Sequence, residues 1–263
     1  MEGGVVRVTR RRLLASCAAL GTLAASFGPR EALAFGQANL FSARLLVVGG
    51  KRPGSPRDTA PPRWSWELSR RTSAPARLAT TEVAADDAKL MAEPFAVWSG
   101  SGEAPRLTSA EIRNLSRFLK LGGMLLVDDA APENGAFRKT AQRELARVLP
   151  ENTPIKLDPS HVLYKSYYIV ERPVGRVLGE PHLEAMLRGR NAQVIFTSHD
   201  LLGALARTPS GGFALETTPG GVGQRERAVR LAVNIGMYLL CSDYKDDQVH
   251  APWLMRRRAG RKP

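Results

Sequence analysis

Residues 94–129 constrain the fold more than any other stretch of the chain. Pro94-Phe95-Ala96-Val97-Trp98 is an apolar run, and Ser99-Gly100-Ser101-Gly102 after it has the composition of a loop. Thr108, followed three residues later by Glu111, forms a capping box, and Ile112, Leu115, Phe118, Leu119 and Leu121 follow at helical spacing. Gly122-Gly123 stops that helix. Met124-Leu125-Leu126-Val127 is then apolar without alternation, as a strand is when both of its faces are covered, and it ends in Asp128-Asp129. Strand, helix and second buried strand in this order predict a parallel pair joined by a right-handed crossover.

The flanking segments extend the pattern. Ala43-Arg44-Leu45-Leu46-Val47-Val48, ending in Gly49-Gly50, reads as a buried strand, and residues 51–62 as a loop. Trp64 and Leu68 give the segment from Arg63 to Thr72 a helical core face. A short strand is expected near Thr80–Val83 and a helical turn near Asp86–Met91. Further helices are expected near Phe137–Val148, Leu183–Leu187 and Arg225–Cys241, and a partly extended segment at Leu163–Ile169. Ala192–Thr197 is another buried strand, ending in Ser198-His199-Asp200, and a helix is expected to begin near Leu201. Residues 207–224, rich in Gly and Thr, form a loop. There are no internal repeats.

Ligands of open α/β sheets gather beyond the carboxyl ends of the strands. Three strands here end in polar groups, which makes Ser99, Asp128, Asp129, Ser198, His199 and Asp200 candidates, with His161 on a loop that could reach the same edge. Carboxylates and imidazoles together suit a divalent metal or acid–base work. The same residue types also cap helices and tie down loops, so a purely structural role stays open for each. Neither a tight metal-ligand spacing, nor a phosphate-cradling glycine loop, nor a nucleophile elbow is present.

The first residues carry a different kind of signal. Thr9-Arg10-Arg11-Arg12-Leu13-Leu14, an apolar stretch to Phe27 and Ala32-Leu33-Ala34 fit a twin-arginine leader over residues 1–34, with cleavage after Ala34. An uncleaved anchor and lipidation at Cys17 are the alternatives; the apolar run is shorter than the ~20 residues that span a bilayer. The reading is a periplasmic or otherwise exported protein with one domain over 35–242 and a basic tail over 243–263. Past the leader one thiol remains, Cys241, expected as a buried small hydrophobe on the last helix.

The formal charge of the 263-residue chain is +13, part of it in the leader and part in Arg256, Arg257 and Arg258 of the tail. Such a protein could meet anionic lipid, cell-wall polymers or an acidic envelope protein, and the tail arginines are expected to be exposed to such a surface. Nucleic acid is not expected, because no basic helix with interleaved aromatics occurs. A 43% hydrophobic content suits one packed core without a transmembrane span in the mature chain.

These residues resemble the bacterial domain-of-unknown-function family 4159, which has the class I glutamine amidotransferase-like fold. The resemblance is carried by Ala43-Arg44-Leu45, by the run from Leu119 to Asp129, by Ser160-His161-Val162-Leu163-Tyr164, by Ser198-His199-Asp200-Leu201, and by Asn234 and Tyr238 in the final helix. Val162 stands where the family usually has Pro, and His199 where it usually has Asn. The resemblance implies a three-layer α/β/α domain with a mostly parallel, flavodoxin-like sheet. In the amidotransferases the strand after the Gly-rich turn bears the nucleophilic Cys. Here it bears Asp128-Asp129, which cannot form the thioester of glutamine hydrolysis. Family members are often encoded near MoxR-type ATPases and von Willebrand A-type proteins, which implies an envelope-assembly role by association. Two readings follow: an exported, non-catalytic domain that binds a partner or small ligand at the strand edge and needs no cofactor, or a metal-dependent or carboxylate-based hydrolase using the Asp/His set.

Overall fold

The computed structural model describes residues 40–259, with side chains through Cys241. The leader, its cleavage after Ala34 and Cys17 lie outside the described residues, as do the side chains of Arg256, Arg257 and Arg258.

The sheet is built from β1 (Arg44–Val47), β2 (Glu82–Ala84), β3 (Phe95–Gly100), β4 (Met124–Asp129), β5 (Ile155–Lys156), β6 (Glu184–Arg188) and β7 (Asn191–Thr197). Their order is β2-β1-β3-β4-β7-β6-β5. The first five in that order are parallel, whereas β6 runs antiparallel to both of its neighbours. The helices are α1 (Ala60–Thr72), α2 (Ser109–Lys120), α3 (Ala136–Val148), the single-turn α4 (Leu201–Leu205) and α5 (Gly221–Ala259). The protein is therefore a mixed, mostly parallel α/β structure.

Period-2 alternation divides the strand residues between two apolar clusters. Phe95, Val97, Met124, Leu126 and Ile195 pack with Trp64 and Leu68 of α1, Leu201 of α4 and Val233 of α5. Ala96, Trp98, Leu125, Val127 and Phe196 pack instead with Leu115 and Phe118 of α2 and Phe137 of α3. Apolar partners on both sides explain the unbroken apolar runs of β3, β4 and β7. The buried Trp64 ring meets Phe41 and Phe95 at 5.7 Å, while its indole N–H donates to the Ala232 carbonyl at 2.8 Å, so α1, β3 and α5 share one anchor.

The capping box of α2 is formed in full: Thr108 Oγ1 accepts from the Glu111 amide, and Glu111 Oε2 accepts from the Thr108 amide. Glu111 also accepts from the Gly49 amide at 2.8 Å through Oε1, which ties the loop after β1 to the start of α2.

Several expectations change. Leu183–Leu187, expected as a short helix, lies mostly in β6, because the Gly189-Arg190 turn folds it back onto β7 and main-chain pairing overrides the helical propensity of Glu-Ala-Met-Leu. The segment after His161 is not extended: Val162–Lys165 form a 3-10 turn. The two-residue β5 gave no readable signal. Ser99 and Gly100, expected to open a loop, are the last two residues of β3, as Asp128 and Asp129 are of β4. Cys241 is exposed, contrary to the buried role expected of it, and α5 continues past it to Ala259.

Candidate functional site

The sheet brings the ends of β3, β4 and β7 side by side. Ser99 is in register with Asp128, Gly100 with Asp129, and Asp128 with Thr197. Ser99, Asp128 and Thr197 thus form one row across three strands. Asp129 points to the opposite face, as successive residues of a strand must. Ser198, His199 and Asp200 follow directly from β7, so six of the seven candidates meet at this edge, and none is more than 6% exposed.

Each acid there is occupied. The two oxygens of Asp128 accept from the amides of Leu201 at 2.8 Å and Leu202 at 2.9 Å, the first residues of α4. Burial raises its pKa to about 7, with the nearby Asp200 charge adding to the rise and those two amides and Arg57 opposing it. Asp129 accepts from the Ala131 amide at 3.0 Å and from the Arg138 amide, in the first turn of α3, at 3.3 Å. Its pKa is also raised, chiefly by burial. Asp200 is the N-cap of α4 and accepts from the Gly203 amide. It also binds Arg57 through two hydrogen bonds and Arg176 through a third.

A connecting segment closes over the edge. Ser198 Oγ accepts from the Glu180 amide and His199 Nδ1 from the Gly179 amide, both at 2.8 Å. The carbonyls of His199 and Asp200 accept from the Val177 and Arg176 amides. This approach requires glycine: a Cβ at Gly175 or Gly179 would collide with the main-chain oxygen of His199 or Ser198. Because Nδ1 of His199 is an acceptor, its ring proton sits on Nε2, which is buried and has no partner. Burial lowers the His199 pKa to about 4, so the ring is neutral near pH 7. Ser99 Oγ and Thr197 Oγ1 are likewise buried and have no hydrogen-bond partner among the described residues.

His161 does not reach this edge. Its Nδ1 caps the Val162–Lys165 turn through the Leu163 amide, and its Nε2 lies 3.4 Å from the Arg190 carbonyl, just before β7 begins. Six residues of strand, roughly 20 Å, separate that end of β7 from Thr197. The motif around it is bound to α5 instead: buried Asn234 accepts from the Tyr168 amide and donates to the carbonyls of Leu163 and Tyr168, and Tyr238 Oη accepts from the Ala192 amide.

Arg57, Arg176, Gly179 and Thr197 complete the edge and were not legible as site residues. Thr197 could have been found as the last residue of an apolar strand. Arg57 opens the short 3-10 turn that leads into α1, 143 residues from its partner, and no local pattern marks such a pair. Among the described residues no group of three or more His, Cys, Asp or Glu side chains is placed to hold a metal ion. Nor is any helix among them long and apolar enough to cross a membrane.

Fold and site together define an α/β domain whose strand-end acids are spent on main-chain amides and guanidinium groups. The chain belongs to the domain of unknown function family DUF4159, whose model matches residues 47–240. Comparison with curated proteins finds no match.

Proposed function

We propose that this is an exported, non-catalytic binding domain. In this reading the carboxyl edge of the sheet keeps the scaffold of a flavodoxin-like, three-layer amidotransferase-type fold without its reaction. One observation carries the reading: Asp128, Asp129 and Asp200 are fully buried, and each accepts hydrogen bonds from main-chain amides at helix or turn starts. A general base needs a free lone pair within reach of a substrate proton, and a hydrolytic metal needs an open coordination position. The acids here are sealed from solvent, so they offer neither until the segments packed over them move. β4 ends in a carboxylate where an amidotransferase needs a thiol, and Cys241 lies on α5.

The edge then acts as a buckle. It joins β4 and β7 to α3, α4 and the 175–180 segment, so that the outer surfaces are held rigidly enough to dock a partner. In this reading a twin-arginine leader takes the work outside the cytoplasm, which cell fractionation with and without Arg10 and Arg11 would check.

The test of the non-catalytic reading is turnover. Purified full-length protein is assayed with ester, phosphoester, peptide and glycosidic substrates, with and without added divalent cations. No turnover above that of a heat-inactivated sample is expected. A hydrolytic rate that disappears in Asp129→Asn while the variant stays folded would overturn the proposal and restore the hydrolase reading.

A further inference from the structure

Along the outer side of α1, Arg63 and Arg70 lie over the Trp66 ring, with their guanidinium carbons 4.2 and 4.9 Å from its centroid. Arg63 also lies 5.6 Å from the ring of Phe213, on the loop between α4 and α5. That same ring carries Arg207 at 3.8 Å and Arg225 at 3.9 Å. Four guanidinium groups and two aromatic rings from three separate chain segments therefore alternate across one face, a pattern that no sequence window contains.

Among the described residues, Arg63 alone of the four arginines has a carboxylate in contact, Glu67, which it shares with Arg71. Arg70 is exposed, and Phe213 is 41% exposed at the centre of the array. Burial, together with the neighbouring charges of Arg63 and Arg225, holds Arg207 below the ordinary arginine range, although the Glu67 carboxylate opposes the shift. Like charges that outnumber their counterion are costly to crowd together, and a further anion placed between them would relieve that cost. The guanidinium planes are also fixed. Arg207 Nη1 donates to the Gly211 carbonyl at 2.8 Å, and Arg225 donates to the carbonyls of Ala204 and Leu215. Arg225 is buried and spends both terminal nitrogens on those carbonyls, so it steadies the Phe213 ring, whereas the half-buried Arg63 and Arg207 and the exposed Arg70 keep outward N–H groups for two-pronged recognition of a carboxylate.

The array continues across α5. Arg71 binds Glu226, Glu226 binds Arg230, and Arg230 lines a pocket of about 270 Å³ with Arg172, Arg227 and the exposed Ile169. Neither α1 nor the stretch 207–230 contains a lysine. Surfaces rich in Arg and aromatics but poor in Lys have the composition of protein–protein interface cores. A fluid anionic lipid surface would be met as well by lysine. A second copy of this face would bring like charges together.

We propose that the face formed by α1, the 207–213 loop and the first turns of α5 is the docking surface for a protein partner presenting carboxylates beside apolar side chains. The proposal rests on the binding-domain reading above and names where binding occurs and what it recognises. The tail arginines are a separate basic feature and are not needed for it.

The experiment uses the full-length protein, a short synthetic peptide of alternating glutamate and leucine, and phosphatidylcholine vesicles with and without phosphatidylglycerol. The paired variant Arg70→Lys with Arg207→Lys keeps the charge but removes the planar fork. Both side chains are partly exposed, and a circular dichroism melt confirms folding. Peptide binding at physiological salt, weakened at least about tenfold in the paired variant, is expected, with no preference for anionic vesicles over the peptide. Absence of peptide binding, equal binding by the lysine variant, or preferential binding to phosphatidylglycerol vesicles would each overturn the proposal. Each of these failures leaves the non-catalytic reading standing, whereas turnover dependent on Asp129 removes that reading whatever the peptide does.

Discussion

Arg57 grips both carboxylate oxygens of Asp200, with Nε 2.7 Å from Oδ1 and Nη2 2.8 Å from Oδ2. Arg176 binds the same carboxylate from the 175–180 segment. Asp200 itself is fully buried and in the left-handed region at φ 53°, where a non-glycine residue is strained. The strain persists because this one side chain joins two loops to the cap of α4. Asp200→Ala should cost about 3–5 kcal/mol, since it strands two guanidinium groups beside a buried edge and removes the cap. Chemical denaturation of the purified variant measures this; a loss under about 1 kcal/mol would mean that water replaces the carboxylate easily.

The closure over β7 depends on bare main chain at two points. Gly175→Ala and Gly179→Ala would each press a methyl group onto a carbonyl oxygen that cannot retreat, because the Ser198–Asp200 backbone is fixed by Asp128 and α4. Each should destabilise the protein by about 2 kcal/mol or more, with faster hydrogen exchange at the amides of Val177 and Glu180. Gly50→Ala is a useful comparison. Nothing lies within 4 Å of a Cβ there, so only the φ of 71° opposes the change and the loss should be about 1 kcal/mol.

Much of this arrangement could be read from residues 94–129, where local signals agree with one another. The capping box, the Gly-Gly stop and the unalternated β4 each report a local cause, and each appears in the structure. β6 could not be read, because Glu184–Arg188 is composed of helix formers and becomes a strand only through a partner that follows a turn. The meeting of Ser99, Asp128, Asp129 and Ser198–Asp200 followed from parallel strands ending together. That His161 sits at the opposite end depended on the path of 157–183, which has little periodicity. The ties from Arg57 and Arg176, and the arginine–aromatic array, join segments far apart in the chain and leave no trace in any one of them.

The row of Ser99, Asp128 and Thr197 contains two hydroxyls that are buried without partners. A buried donor left unpaired costs free energy, so removing it should help if the site is dry. Thr197→Val is expected to stabilise the protein by about 1 kcal/mol, and Ser99→Ala to be neutral or slightly stabilising. Thermal melts decide this. Destabilisation of about 1 kcal/mol or more in both variants would show that water or a small polar ligand bridges the hydroxyls, and would reopen the edge as a binding site.

Asp128 and His199 should give the stability opposite pH slopes. The folded pKa of Asp128 is raised from 3.8 to about 7, so the folded state holds the extra proton in that window and stability falls as pH rises through it. The folded pKa of His199 is lowered from 6.5 to about 4, so the unfolded chain holds the extra proton and stability is lost as pH falls through that window. The two windows overlap and the slopes have opposite signs, so they largely cancel in the parent protein. Asp128→Asn should expose the histidine term, giving a variant that weakens on acidification between about pH 6.5 and 4. His199→Gln, whose amide oxygen can still accept from Gly179, should expose the aspartate term and weaken as pH rises toward 7. Urea titrations at several pH values for the parent and both variants would separate the slopes. Parallel pH profiles for all three proteins would mean that neither group changes protonation on folding, and that Asp128 is an ordinary ionised cap.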